Sequence, residues 1–265
     1  MGRNVFPKLF SIGDFFLPSY GALVAAGVLA GLLVSTRLAR RRGMDTEKLT
    51  NLVLYVVFAG LLGAKLAMFL FDWEYYAQRP GEIFSLATLQ AAGVFQGGLA
   101  LAVVAAWWHL RREKLAFLPV ADILAPGLAL GHAIGRLGCF AAGCCYGAYC
   151  ERPWAVRYTN PDAATISGTP LGVPLHPTQL YEAGAELVLF AVLYRMAGRM
   201  PRPGTVIGLY LTAYSVVRFL VEFVRHHEQS LQGGLSLTQW MSLGFALVGL
   251  GSWWRGARGG VQVPG

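Results

Sequence analysis

Charge is scarce in this 265-residue chain: only 14% of its residues are Asp, Glu, Lys or Arg, against roughly 25% in soluble domains. Hydrophobic residues make up 55%, and mean hydropathy is +0.49. The shortage excludes an ordinary soluble enzyme and indicates an all-α, polytopic membrane protein forming one domain over residues 1–265. Cysteine is scarce too. All four lie within Cys139–Cys150, none in a CxxC spacing, which argues against a zinc knuckle. There is no internal repeat, which speaks against a transporter built from inverted halves. A cleavable signal peptide is not expected, because Asp14 interrupts the N-terminus and the run after Pro18 ends in the stop-transfer flank RLARRR. The net charge of +8 does not imply a nucleic-acid partner, since the basic residues cluster between apolar runs as membrane-flanking loops do.

Seven apolar stretches approach the ~20 residues that cross ~30 Å of hydrocarbon. They run approximately over Phe15–Thr36, Leu49–Phe71, Ala91–Leu110, Phe117–Phe140, Thr178–Met196, Thr205–Val224 and Leu237–Trp254. One set of loops, with the C-terminus, carries thirteen basic residues, among them Arg40, Arg41, Arg42, Arg111, Arg112 and Arg199. The other set carries six, including Lys8, Arg152, Arg157 and Arg225. That asymmetry predicts the N-terminus outside and the C-terminus in the cytoplasm. Two outward segments, about 72–90 and 143–177, are longer than connectors need to be. The first is aromatic and suggests an interfacial helix. The second contains five prolines and reads as an ordered or semi-ordered loop over the outer face. Trp107, Trp108, Trp253 and Trp254 stand beside arginines at span ends, as interfacial anchors do.

Two arginines interrupt the apolar runs. Arg136 lies in LALGHAIGRLGCF and Arg218 in YLTAYSVVRFLVEF. An arginine in hydrocarbon costs several kcal/mol or more unless it faces a polar cavity and a counter-charge. Its planar fork suits a phosphate, and the nearest anion at that depth is a phospholipid headgroup. Tyr214, Arg218, Glu222 and Arg225 follow spacings of four, four and three, which predicts one helix face with an Arg218–Glu222 pair. The alternative is a structural ion pair between helices.

Other candidates surround these arginines. Glycines at 131, 135, 138, 143 and 147 allow close backbone approach. His132 reads more readily as a packing or hydrogen-bonding residue than as a functional one. Gln96, Gly97 and Gly98 suggest a break before or within the third span, with an unwound entry lining a cavity. Lys65 either joins the buried cations or snorkels to the surface. In LHPTQLYEA, Thr178 is a candidate N-cap and Glu182 follows in the first turns, while His176, Gln179 and Tyr181 have no capping explanation. For Cys139, Cys144, Cys145 and Cys150 the expectation is a structural disulfide first, then a reactive thiol, then a metal site.

Together these residues resemble the prolipoprotein diacylglyceryl transferase family over about Ser19 to Leu250. Gly135–Arg136–Leu137–Gly138–Cys139–Phe140 is similar to the family signature around its essential arginine. His176–Glu182 and Arg218–Arg225 match two further blocks; Gly60–Phe71 and Gln96–Leu99 match more weakly. The resemblance implies transfer of a diacylglyceryl group from phosphatidylglycerol to a lipoprotein signal-peptide cysteine, in the bacterial cytoplasmic membrane. It implies Arg136, Arg218 and Glu222 as catalytic residues, with Gln96, Gly97, Gly98, His176, Tyr181, Glu182, Tyr214 and Arg225 lining the substrate site. No metal or cofactor is expected. The chain departs from the family at Gln96, where the family has histidine. It departs again at Cys139, Ala142 and Cys144, where the family has asparagine, asparagine and an acidic residue. Gln96 cannot accept a thiol proton, so the alternative is a divergent paralogue that binds phospholipid or lipidates a different thiol. An anionic Cys144 would need arginine nearby.

Overall fold

The computed structural model describes residues 2–3, 5–13, 15–91, 93–199, 202–225 and 233–258. Helices dominate, and each predicted span coincides with a helix of 18 residues or more. Four of the described helices are long and apolar enough to cross a membrane by length and composition. The chain divides into two compact units, residues 43–120 and the remainder.

The larger unit starts with a two-residue strand, β1 (Gly2–Arg3), and a hairpin of β2 (Lys8–Ile12) with β3 (Phe15–Pro18). Helix α1 (Ser19–Arg41) follows. In the smaller unit, α2 (Thr46–Phe71) is capped by Asp45, whose carboxylate accepts the backbone N–H groups of Glu47 and Lys48 at 2.9 and 3.1 Å. Each such cap satisfies donors that a helix start leaves orphaned. Segment 72–90 is a chain of short pieces: α3 (Trp73–Gln78), a 3-10 turn at Pro80–Phe84 and α4 (Leu86–Gln90). Helix α5 (Phe95–Arg112) closes this unit, and Arg111 and Arg112 stack on Trp107 and Trp108 at 5.5 and 5.1 Å.

The chain returns to the larger unit along α6 (Phe117–Ala142). The segment after it holds β4 (Val156–Tyr158), α7 (Pro161–Ser167) and β5 (Pro174–Leu175), followed by α8 (Thr178–Gly198), α9 (Thr205–Glu222) and α10 (Leu237–Arg258). The strands form two small sheets, one ordered β1-β4-β5 and the other β2-β3. Helices α1 and α6 cross where neither has a side chain. A Cβ on Gly27 would lie 2.7 Å from the Gly131 carbonyl oxygen, and one on Gly31 would lie 2.6 Å from that of Gly127. Small residues four apart on both partners are how membrane helices approach without a hydrophobic drive.

The two ends of this unit are tied differently. At the predicted outer end, Lys8 pairs with Asp162 at 2.8 Å, and Asn160 donates to the Val5 carbonyl at 2.8 Å. At the other end, fully buried Asp122 accepts the N–H groups of Gly204 and Ile207 at 2.7 and 2.8 Å. Asp122 thereby caps α9 from a neighbouring helix. Arg42 donates to the Ala197 carbonyl near the end of α8 at 3.0 Å.

Candidate functional site

Helix α6 carries Arg136 and α8 carries Glu182, and the two meet: Arg136 Nη2 lies 2.8 Å from Glu182 Oε2. On α9, Arg218 Nη2 lies 2.7 Å from Glu222 Oε2, as the four-residue spacing predicts. Ser236, just before α10, donates to the other Glu222 oxygen at 3.0 Å. Both arginine side chains are 14% exposed, and their carboxylate partners are nearly fully buried. Burial removes water that would otherwise weaken these pairs, and it raises the cost of leaving either charge alone.

Neither guanidinium is saturated by its carboxylate. Arg136 Nε and Arg218 Nη1 are buried donors without a hydrogen-bond partner, an arrangement that native interiors avoid unless something else binds there. Tyr214, one turn before Arg218, lies within electrostatic reach of both arginines and of Glu182. A second buried pair adjoins: His132 Nδ1 lies 3.0 Å from Glu186 Oε1. The His132 ring stands edge-on to Tyr214 at 5.0 Å, and Tyr214 stacks on Tyr210 at 6.0 Å. His132 is thus a hydrogen-bonded partner of a buried carboxylate.

The rim of the site is built by the turn after α6. Gly147 donates its N–H to the His176 carbonyl at 2.8 Å, and Ala148 donates to that of Val224 at 2.8 Å. A side chain at 147 has no room, because its Cβ would run into Val224 O and lie 2.6 Å from His176 Cβ. Thr178 Oγ1 donates to the Cys145 carbonyl at 2.8 Å, and Gln179 Nε2 donates to those of Cys144 and, at 3.1 Å, to the Tyr158 hydroxyl. The HPTQ residues therefore clamp this turn. Thr178 is not the N-cap that its position suggested: Pro177 holds that place without a side-chain bond. His176 Nδ1 and the Tyr181 hydroxyl are 3.1 Å apart. Tyr181 also lines a groove of about 450 Å³ with Trp154, Pro177 and Leu180.

Helix α9 ends at Glu222, so Arg225 does not extend its face. Arg225 instead pairs as an antiparallel bridge with Gly147, which brings it within electrostatic reach of Cys145. The cysteines are all unpaired thiols, so the expected disulfide is not the arrangement present. Cys139, Cys144 and Cys145 instead place their sulfurs within 4.8 Å of one another. Cys145 adopts a left-handed backbone, φ 62°, rarely occupied by a residue with a side chain. Hydrogen bonds from the Cys139 and Cys144 thiols lower the Cys145 thiol below its ordinary range against the opposing effect of burial, and Arg136 and Arg225 lower it further. Cys144 is pushed up by its thiol neighbours. The arginines thus favour an anionic sulfur at Cys145. Cys150 is buried apart from this trio.

Gln96, Gly97 and Gly98 belong to the smaller unit. Helix α5 is regular from Phe95, so the break lies before it, at residues up to Val94, and no unwound entry follows. A Cβ on Gly98 would lie 2.8 Å from Gly60 O, and Gly97 faces Ala67, so both glycines serve the contact with α2. Gln96 is exposed. Lys65 pairs with no carboxylate among the described residues: its Nζ donates to the carbonyls of Thr88 and Ala91 at the end of α4, consistent with snorkelling. Sequence reasoning missed Glu186, Ser236 and Tyr20, the last within electrostatic reach of the three thiols and Arg136. Glu186 had a readable signal, a second acidic residue four places after Glu182 within an apolar span.

Known proteins resemble this chain along nearly its whole length. The family model described as prolipoprotein diacylglyceryl transferase matches residues 7–255. A protein of Gloeobacter violaceus named phosphatidylglycerol–prolipoprotein diacylglyceryl transferase is 36% identical over 262 residues, covering 97% of this chain and 95% of its own. Proteins of the same name from Dehalococcoides mccartyi and Clostridium tetani are 36% and 30% identical, over 93% and 92% of this chain and 91% and 95% of their own. Matched along nearly its whole length, this chain belongs to the prolipoprotein diacylglyceryl transferase family.

Proposed function

We propose that this protein transfers the diacylglyceryl group of phosphatidylglycerol to the cysteine thiol of a prolipoprotein signal peptide, within the bacterial cytoplasmic membrane. Seven crossings with the N-terminus outside fit the charge asymmetry. The names of the relatives supply the two substrates. The observation that carries the reading is the pair of buried guanidinium donors without partners, Arg136 Nε and Arg218 Nη1, both arginines lying within electrostatic reach of Tyr214.

In this reaction a thiolate attacks the glycerol carbon that carries the phosphate ester. The S–C bond forms, the C–O bond breaks, and the phosphate departs as glycerol phosphate with one additional negative charge. Arg136 and Arg218 stabilise that growing charge. They act strongly because they are already in place and shielded from water. Glu182 and Glu222 hold the two guanidinium groups in position and offset their charge while no headgroup is bound. Arg225 draws the headgroup in at the rim, and Tyr181, bonded to His176, lines the groove through which the peptide approaches. Gln96, Gly97 and Gly98 belong to the smaller unit, where Gly97 and Gly98 pack α5 on α2.

The test uses purified protein in phosphatidylglycerol nanodiscs with a lipobox peptide, measuring glycerol phosphate release and the peptide mass. Wild-type protein adds one diacylglyceryl group per peptide. Arg136→Ala and Arg218→Ala each lower the rate by about 100-fold or more, the scale of removing one charge-stabilising donor. Turnover unaffected by either substitution refutes the assignment. Phospholipid that co-purifies with an inactive wild-type protein favours a lipid-binding paralogue instead.

A further inference from the structure

The three neighbouring thiols stand next to the arginine site but have no part in the mechanism above. Their sulfurs already lie within 4.8 Å of one another. A tetrahedral zinc with Zn–S bonds of about 2.3 Å sets sulfur–sulfur edges of about 3.8 Å, so closing on an ion needs a shift of roughly 1 Å or less. Two of the three are held from behind by the Thr178 and Gln179 clamps on the Cys144 and Cys145 carbonyls. Cys139 is fixed at the end of α6. Among the described residues no fourth histidine, cysteine or carboxylate joins the group. An all-sulfur donor set selects a soft ion, and three protein ligands with a fourth position open is the pattern of a reactive zinc centre.

We propose that Cys139, Cys144 and Cys145 bind one zinc ion whose fourth position takes the acceptor cysteine. This rests on the transferase reading and supplies what Gln96 cannot, a means of ionising the acceptor thiol. A thiol that coordinates zinc is deprotonated outright, its proton passing to solvent. The zinc-held sulfur then forms the S–C bond to the glycerol carbon. The C–O electron pair leaves on the phosphate oxygen, against Arg136 and Arg218, and the zinc keeps its charge throughout. The position is suited to this: Arg136 is within electrostatic reach of Cys139 and Cys145, and Arg225 of Cys145. Arg225 offsets part of the excess negative charge of a four-thiolate zinc. A covalent carrier role for these cysteines is chemically poorer, since a thiolate is a weak leaving group from saturated carbon.

The test takes full-length protein in nanodiscs, washed with chelator and reloaded with Zn(II) or Co(II). The expected results are one zinc per chain by elemental analysis and a thiolate-to-metal charge-transfer band with Co(II). Cys144→Ser and Cys145→Ser lose the ion, whereas Cys150→Ser keeps it. Thermal stabilisation by phosphatidylglycerol in all three variants confirms that they fold. A lipobox peptide shifts the Co(II) spectrum, and the same peptide with serine for cysteine does not. Zinc removal lowers transfer by about 100-fold or more, within the range of losing a general base, and re-addition restores it. Zinc-free protein that transfers at the full rate overturns this inference and leaves the transferase reading intact. Failure to bind zinc, or retention of Cu(I) alone without response to the peptide thiol, also overturns it. A peptide-responsive ion in a protein that releases no glycerol phosphate upholds the ion site and overturns the transferase reading alone.

Discussion

Glu182 touches Arg136 at 2.8 Å and is almost completely buried. Removing one member of a buried ion pair leaves the other uncompensated, which typically costs about 3–5 kcal/mol. Glu182→Gln is therefore expected to unfold at a lower temperature in detergent. If Arg136 faces a phosphate site, phosphatidylglycerol supplies the missing negative charge. Its addition then raises the melting temperature of Glu182→Gln more than that of wild type. Equal shifts in both proteins would identify the pair as a purely structural tie between α6 and α8. At this scale the arginines were readable because an ionised group in an apolar run is conspicuous. Their carboxylate partners were readable only in part: Glu222 shares a helix with Arg218, whereas Glu182 reaches Arg136 from a helix more than forty residues away.

The segment between α6 and α8 acts as one clamp, with Gln179 bridging the Cys144 carbonyl and the Tyr158 hydroxyl. Burial pushes the Tyr158 phenol up to about 12, and the Gln179 hydrogen bond only partly opposes that. An unfolded tyrosine titrates near about 10. Between these values the unfolded chain holds fewer protons than the folded one, so stability falls as pH rises. Below the lower value the contribution is complete. Tyr158→Phe is expected to flatten this loss between about pH 10 and 12 in thermal unfolding curves. A curve of unchanged slope contradicts the assignment. Element positions followed from apolar run length, and α2, α6, α8 and α9 start within a few residues of expectation. Local connections did not follow. The Thr178 hydroxyl serves a carbonyl 33 residues earlier and not its own helix. The three thiols converge through a turn at Gly143–Gly147 whose backbone angles no spacing rule reveals.

For the whole molecule, charge placement predicts the topology. In the larger unit, Lys8 and Asp162 mark one end, and Arg42 with the start of α9 marks the other. A phosphatase fused after the last helix is expected to be inactive, and a cytoplasmic fluorescent reporter at the same place is expected to be bright. The reverse pattern overturns the orientation. The four clearly apolar helices were legible from composition; the crossings of α5, α8 and α10 rest on charge asymmetry and length. The claim on which the function depends is that Arg136 and Arg218 hold one phosphodiester between them. A double-mutant cycle tests it most directly, measuring phosphatidylglycerol affinity for wild type, Arg136→Ala, Arg218→Ala and the double variant. The shared cradle predicts a combined loss that departs from the sum of the single losses by about 1 kcal/mol or more. Losses that add to within about 0.5 kcal/mol, as for independent sites, contradict it.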